Sequence, residues 1–339
     1  MTRPVLLMGG YGVLGAELAR TLRRRQPDLP LAIAGRTIGR AEALAVELGN
    51  ATAHCFTYRQ SGEAIPSGEF SAVAVLLKDN TLRLTDVAVR RGIPLISVSS
   101  AAFEIGADLF HGLRARNAPV VMASNWFAGA PAIAALALAQ GLARVDEIEV
   151  GLVIDRGEAP SGAATIADFE RISLSCPSTL VREAGCYRWV QGDAASAHFE
   201  RENGAIAEGK IAVSTDVMSL TAATGAATVR VIEAFTPSLS LLRGEGAADE
   251  ISIRVVGADA HGIRIERRRF LTARRDKVGL TALTVALALE RLVGRFGESA
   301  PASGLHPVEA IFAPDAFVDA VRAAGVQVSA VIERRSPDA

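Results

Sequence analysis

Six residues near the N-terminus, Gly10-Tyr11-Gly12-Val13-Leu14-Gly15, place three glycines at the spacing G-x-G-x-x-G, with Gly9 just before them. Glycines at these positions let the chain turn tightly and bring main-chain amides against a diphosphate with no Cβ in the way. A helix opening from such a turn adds unpaired N–H groups and the positive end of its dipole. The chemistry this spacing serves is the binding of a dinucleotide pyrophosphate. A bare match also arises by chance, or as a βα turn that merely tolerates glycine. The context favours the first reading, because the apolar run Val5-Leu6-Leu7-Met8 precedes the glycines and Leu14, Leu18 and Leu22 follow at helical spacing.

The next strand-like run, Leu31-Ala32-Ile33-Ala34, ends in Gly35-Arg36-Thr37. Dinucleotide sites that prefer NAD place a carboxylate here to accept from the ribose 2′-OH. This chain has none. Gly35 leaves room, Arg36 can make bidentate bonds to a 2′-phosphate, Thr37 adds a hydroxyl and Arg40 adds charge one turn on. The expected cofactor is therefore NADP(H) in preference to NAD(H).

Further candidates stand where other strand-like runs end. Leu77 and Lys78 close the run 72–77, Ser97 and Ser99 lie at the end of the run around 95–98, and Asn125 and Trp126 follow the run 120–122. Ligands on a parallel sheet sit at the carboxyl ends of its strands, so Leu77, Lys78, Ser97, Ser99 and Asn125 are expected beside the cofactor. Lys78, Asp216 and His261 are the candidates for proton transfer or charge stabilisation. Against these stand plainer roles: Asp216 as a cap, His261 as an exposed turn residue, and Trp126 as core packing. Hydride transfer needs little from a protein beyond orientation and a proton source, so few obligatory residues are expected. The cluster Arg267-Arg268-Arg269 could meet a substrate carboxylate. Strand alternation, however, puts Arg267 and Arg269 on one face and Arg268 on the other.

Several elements must position these groups. Helical spacing is expected at 81–91, 108–116, 277–293 and 314–324, and around Ala41, Leu44, Ala45 and Leu48. Strands alternating with helices over short connections imply a parallel sheet covered on both faces. From about Asp146 the pattern becomes period two, with Ile148, Val150, Leu152 and Ile154 alternating with other residues, and again through 251–256 and 263–266. That pattern is an antiparallel sheet with one buried face. The expected fold is α/β: a Rossmann-type doubly wound parallel sheet with a second α+β domain built on a mostly antiparallel sheet. The expected division assigns residues 1–125 and about 274–339 to a dinucleotide-binding domain. Residues from about 126 to 273 form a substrate and interface domain.

The chain's 339 residues, half of them hydrophobic, suffice for two such domains. Its net charge of −1, from 36 basic and 37 acidic residues, leaves no footprint for nucleic acid. The apolar stretch 128–139 is shorter than the roughly 20 residues that span a bilayer and contains Pro131. Cys55, Cys176 and Cys186 show neither disulfide nor metal spacing. The start of the chain lacks the pattern of a secretory signal. These features lead us to expect a cytoplasmic protein with a small-molecule substrate, no bound metal and no membrane or nucleic-acid partner; a homodimer is compatible with the sequence.

The sequence resembles the saccharopine dehydrogenase-like (saccharopine reductase-like) group. The resemblance is strongest at Gly9–Gly15 and Ala34-Gly35-Arg36-Thr37, and extends to Ala88-Val89-Arg90-Arg91-Gly92-Ile93-Pro94-Leu95-Ile96. Weaker echoes are 159–165, 216–226 and 304–309. Many members carry an aspartate where this chain has Ser97, and a glycine–proline turn where it has Gly129-Ala130-Pro131. The resemblance implies an NAD(P)-dependent oxidoreductase acting on an amine, an imine or an amino-acid-derived compound. The alternatives are a C=C (enoyl) reductase of the same broad group and a dinucleotide-binding regulator without turnover.

Overall fold

The structure is a computed structural model and describes residues 3–56, 64–98, 101–155, 163–297 and 299–336. The first half runs β1 (Val5–Met8), α1 (Val13–Arg25), β2 (Leu31–Gly35), α2 (Ile38–Leu48), β3 (Ala51–Cys55), β4 (Ala72–Val75), α3 (Arg83–Arg91), β5 (Leu95–Ser97), α4 (Ile105–Gly112) and β6 (Pro119–Met122). There follow α5 (Ala130–Ala139), β7 (Arg144–Ile154), α6 (Ala163–Ser175), β8 (Thr179–Glu183), β9 (Cys186–Val190), β10 (Ser196–Glu200), β11 (Ile206–Ile211), α7 (Asp216–Thr224) and β12 (Thr228–Ala234). The chain ends with α8 (Leu239–Leu242), β13 (Ala248–Ala258), β14 (Arg264–Arg274), α9 (Leu280–Leu292), β15 (Gly304–Pro307), α10 (Pro314–Ala323), β16 (Gln327–Val328) and β17 (Ile332–Ser336).

Two compact units result. The first comprises Met1–Ser124, Ser161–Asp168 and Thr281–Ile311, and the second Asn125–Pro160, Phe169–Leu280 and Phe312–Ala339. The first holds a seven-stranded sheet in the order β15-β6-β5-β4-β1-β2-β3, with every pairing parallel. Strands buried on both faces read as unbroken apolar runs, and Val5–Met8, Leu31–Gly35 and Ala72–Val75 are buried throughout. The two edge strands lack that signature. β3 is half exposed and β15 is Gly-Leu-His-Pro, so neither stood out in the sequence. Strand order reverses between β1 and β4, the place where a doubly wound sheet opens a crevice for a ligand.

The second unit carries a ten-stranded, mostly antiparallel sheet along β10-β11-β12-β7-β13-β14-β16, with β12 parallel to β7. α5, nearly all alanine, leucine and isoleucine, packs against β13, α7 and α10, as expected of a helix apolar all round. The expected division differs from these units at Ser161–Asp168, which falls in the first, and at 274–280 and 312–339, which fall in the second. Residues 312–339 belong to the second unit, because β16 and β17 pair with β14 and α10 packs on α5. α9 and the turn after it, by contrast, continue the first unit, through Glu290, which takes both Nε and Nη2 of Arg25, and through Arg295 on Asp28. An amphipathic stripe shows that a helix docks on something apolar, and is silent about which sheet offers the surface.

Candidate functional site

The glycine turn of the first unit is built from its backbone outward. Gly9 has φ +85°, which a side chain would strain, and its amide donates to Ala34 O at 2.9 Å. Gly15 lies on the first turn of α1, where a Cβ would fall 2.7 Å from both C and Cα of Gly10. The third glycine thus seats the helix on the turn. The N-cap residue of α1 is Gly12, which has no side chain to cap the helix, and the first turn carries no acid, which leaves the dipole end open to an anion. Val13 is exposed and Gly12 with it, so this end faces outward. Leu77 closes the base, its Cβ 3.6 Å from where a Cβ on Gly9 would stand, and it packs on the unit's core.

Tyr11 bends back over the end of β2. Its hydroxyl accepts from the Thr37 amide at 2.8 Å, and the Arg40 guanidinium sits 4.8 Å from the ring centroid. The ring takes the space a side chain at 35 would need, since a Cβ there would meet Cζ of Tyr11 at 2.6 Å. Gly35 is therefore required by an aromatic neighbour, a contact that spacing alone did not reveal. Burial works to raise the pKa of the phenol, but the Thr37 hydrogen bonds and the Arg40 charge outweigh it and leave it lowered. Arg36 is exposed beside this cluster, and no carboxylate stands in the Gly35-Arg36-Thr37 segment.

The remaining predicted residues are distributed as follows. Lys78 is not a free ammonium: it pairs with Glu104 at 2.7 Å, just ahead of α4. The partner lies 26 residues away, and no spacing rule points to it. Ser97 is buried at the end of β5, its carbonyl accepting from Ala123 N at 2.8 Å. Ser99 lies outside the described residues. His261 sits exposed in the β13–β14 turn, where its amide donates to Asp259 Oδ1 at 2.8 Å. That is the plainer of its two expected roles.

Asn125, Trp126 and Asp216 come together in the second unit. Asp216, 1% exposed, begins α7, and its Oδ2 accepts from the Trp126 amide at 3.0 Å and from the Ser214 hydroxyl. Asn125 Nδ2 donates to Ser219 Oγ at 3.0 Å. The turn they hold is strained, since Phe127, Ala128 and Gly129 follow one another at φ +48°, +54° and +97°. Two non-glycine residues in that region cost roughly 1–3 kcal/mol each and persist only where surroundings hold them. Asp216 is such a hold. Among the described residues, its Oδ1 is buried without a hydrogen-bond partner. Ser214 escaped notice in the sequence; its hydroxyl accepts from the Asp216 amide at 2.9 Å in a local serine turn just ahead of the helix.

Burial raises the pKa of Asp216, while Ser214, the Trp126 amide and nearby Asn125 pull the other way and lose. A carboxyl with a raised folded pKa contributes stability that is full below its unfolded pKa and is lost as pH rises through the folded value. Asp216→Asn cannot ionise, so its stability relative to the unmodified chain should improve as pH rises above about 4, where an unfolded aspartate ionises. Melting temperatures of both proteins across that range test this; a constant gap would mean that Asp216 is as easily ionised folded as unfolded.

The arginine cluster is structural and divides between faces as alternation requires. Arg267 donates to Leu138 O at 2.9 Å and Gln140 O at 2.6 Å, capping the end of α5, and pairs with Glu333. Arg268, on the opposite face, holds Glu266 and Glu200. Among the described residues no cluster of metal-ligating side chains occurs, and no helix is long and apolar enough to cross a membrane.

Comparison with known proteins gives the fold a context. No family profile and no curated protein matches the sequence. Among solved structures, the chain is similar to apo saccharopine dehydrogenase (L-Glu forming) from Saccharomyces cerevisiae, at 11% identity and TM-score 0.64, over 98% of this chain and 100% of that one. It is also similar to homospermidine synthase from Legionella pneumophila in complex with NAD, at 12% identity and TM-score 0.65, over 97% of this chain and 91% of that one. At such identities the likeness is one of fold: a Rossmann-type parallel sheet joined to a mostly antiparallel one.

Proposed function

We propose that this chain is a pyridine-nucleotide oxidoreductase that prefers NADP(H). It transfers a hydride to or from a small amine, imine or amino-acid-derived substrate. The observation that carries the reading is the glycine-lined start of α1 at the reversal of strand order, next to a β2 end that offers Arg36 and no carboxylate. Dinucleotide binding belongs to the first unit and substrate binding to the second. Both named neighbours of the same fold support the reading of a nicotinamide-dinucleotide oxidoreductase, one as a saccharopine dehydrogenase and the other as a homospermidine synthase in complex with NAD.

The residues present fit a dinucleotide. The amides of Val13 and Leu14 would meet the pyrophosphate, and Arg36, with Arg40 and Thr37 beside it, the 2′-phosphate. When bound, the cofactor supplies the hydride. The chain's own part is to orient the substrate and manage a proton. Asp216, too buried to touch solvent, holds the Asn125–Trp126 turn in place and keeps a proton on its carboxyl more readily than an exposed acid would. Lys78, neutralised by Glu104, is a positioning cation.

Calorimetric titration tests the cofactor assignment. NADPH should bind at least roughly tenfold more tightly than NADH, about 1.4 kcal/mol, and Arg36→Ala should erase most of that difference. Equal affinities in the unmodified protein would refute the preference. Loss of the nicotinamide absorbance of NADPH with amine-forming substrates would separate an enzyme from a regulator.

A further inference from the structure

The second unit holds a cavity of about 450 Å³ that none of the residues discussed above lines. It lies on the sheet face turned away from α5. Arg267 reaches the end of α5, so Arg268 points the other way, and the strand register places Arg254, Glu149 and Arg230 in one row with it across β14, β13, β7 and β12. Val181, Ile211 and Ile232, members of the small apolar core on this face, line the cavity, and Trp189 stands at it half exposed.

Within that row the pairing is incomplete in one place. Arg230 gives its charge to Glu183 at 2.6 Å, as does Arg188. Arg254 holds Glu147 and Glu266, and Arg268 holds Glu266 and Glu200. Glu149 has arginines directly opposite on both neighbouring strands, yet forms no ion pair with any described residue. Its carboxyl is pushed above the ordinary range by burial, although Arg254, Arg230, Arg268 and His198 all act to lower it. A desolvated carboxyl that lines a cavity, while its cationic neighbours are engaged elsewhere, lacks a counter-ion.

We propose that this cavity binds an organic cation, an ammonium group on an apolar or aromatic body, with Glu149 as its counter-ion. The volume suits a small molecule. The apolar lining takes the body, and the exposed indole of Trp189 offers a face to the positive charge. An anion is disfavoured, because Arg188 and Arg230 would have to give up Glu183 to receive it. The site is independent of the dinucleotide reading and stands or falls separately from it.

The probe is 4-phenylbutylamine, with 4-phenylbutyrate as its anionic match, titrated calorimetrically into the full chain. The amine should bind with Kd of about 1 mM or tighter, and the carboxylate at least about tenfold more weakly. Glu149→Gln, nearly isosteric, should weaken the amine by a similar factor. The chain has two tryptophans, so the indole N–H resonance missing from Trp189→Phe can be followed by NMR in the unmodified protein. That resonance should move with the amine and not with the carboxylate, which keeps the test decisive even if the glutamine variant folds poorly. Absence of amine binding, equal binding of the two probes, full affinity in Glu149→Gln, or a shift confined to Trp126 would each overturn the proposal.

Discussion

Gly15→Ala should weaken NADPH binding by about a hundredfold, some 2.7 kcal/mol, and lower folding stability by roughly 1–3 kcal/mol. The added methyl would sit 2.7 Å from C and Cα of Gly10 and inside contact of Gly9 O. These are backbone atoms of the turn itself and cannot rotate away as a side chain would. α1 must therefore lift off the turn, carrying its first amides out of register with any diphosphate. Gly12→Ala supplies the contrast. A Cβ at position 12 meets only Gly9 O, at 3.2 Å, and the residue is exposed. That variant should stay close to the unmodified stability yet lose affinity, because its methyl occupies the surface a phosphate approaches. Thermal unfolding and calorimetry on the pair separate packing from binding. Gly12→Ala binding NADPH at full strength would refute the assignment of the pyrophosphate to this turn.

The contrast also indicates which parts of the molecule could be read in advance. Elements buried on both faces have a local signature, so β1, β2 and β4 and the helices between them stood out as apolar runs and stripes. The glycine motif was legible for the same reason, since backbone proximity leaves glycine as the only residue that fits. Pairings between distant segments have no such trace. Lys78 appeared free because nothing in the sequence ties it to Glu104, and the charged row from Arg230 to Arg268 exists only once β12, β7, β13 and β14 are set in register. The five strands β8 to β12 lack clean alternation, as Cys186–Val190 is mostly exposed and Gly209 lies against the backbone of Glu233. Tyr11 shows both sides of this. Its place in the motif is visible in the sequence, whereas its fold-back over Gly35 is tertiary.

Stability of the second unit should depend on one buried ion pair, and Glu250→Gln is expected to cost about 3–5 kcal/mol. Arg201 and Glu250 are each about one-tenth exposed, and two guanidinium nitrogens reach Glu250 Oε2 at 2.8 and 3.2 Å. Arg201 also donates to Pro237 O, and the other oxygen of Glu250 accepts from the Leu239 amide at the start of α8. The pair thus joins the end of β10, β13 and the segment leading into α8. Glutamine retains an acceptor for Leu239 but leaves Arg201 charged and without a counter-ion, and an unpaired buried charge is far costlier than a missing hydrogen bond. Removing both charges in Arg201→Met/Glu250→Leu should therefore recover most of the loss, since desolvation of the pair offsets much of its attraction. For a unit of this size, 3–5 kcal/mol corresponds to a fall in Tm of roughly 6–20 °C. Unfolding of Arg201→Met, Glu250→Leu and the double variant gives the coupling directly. A Glu250→Gln loss below about 1 kcal/mol would show that water reaches Arg201 and that the pair is effectively at the surface.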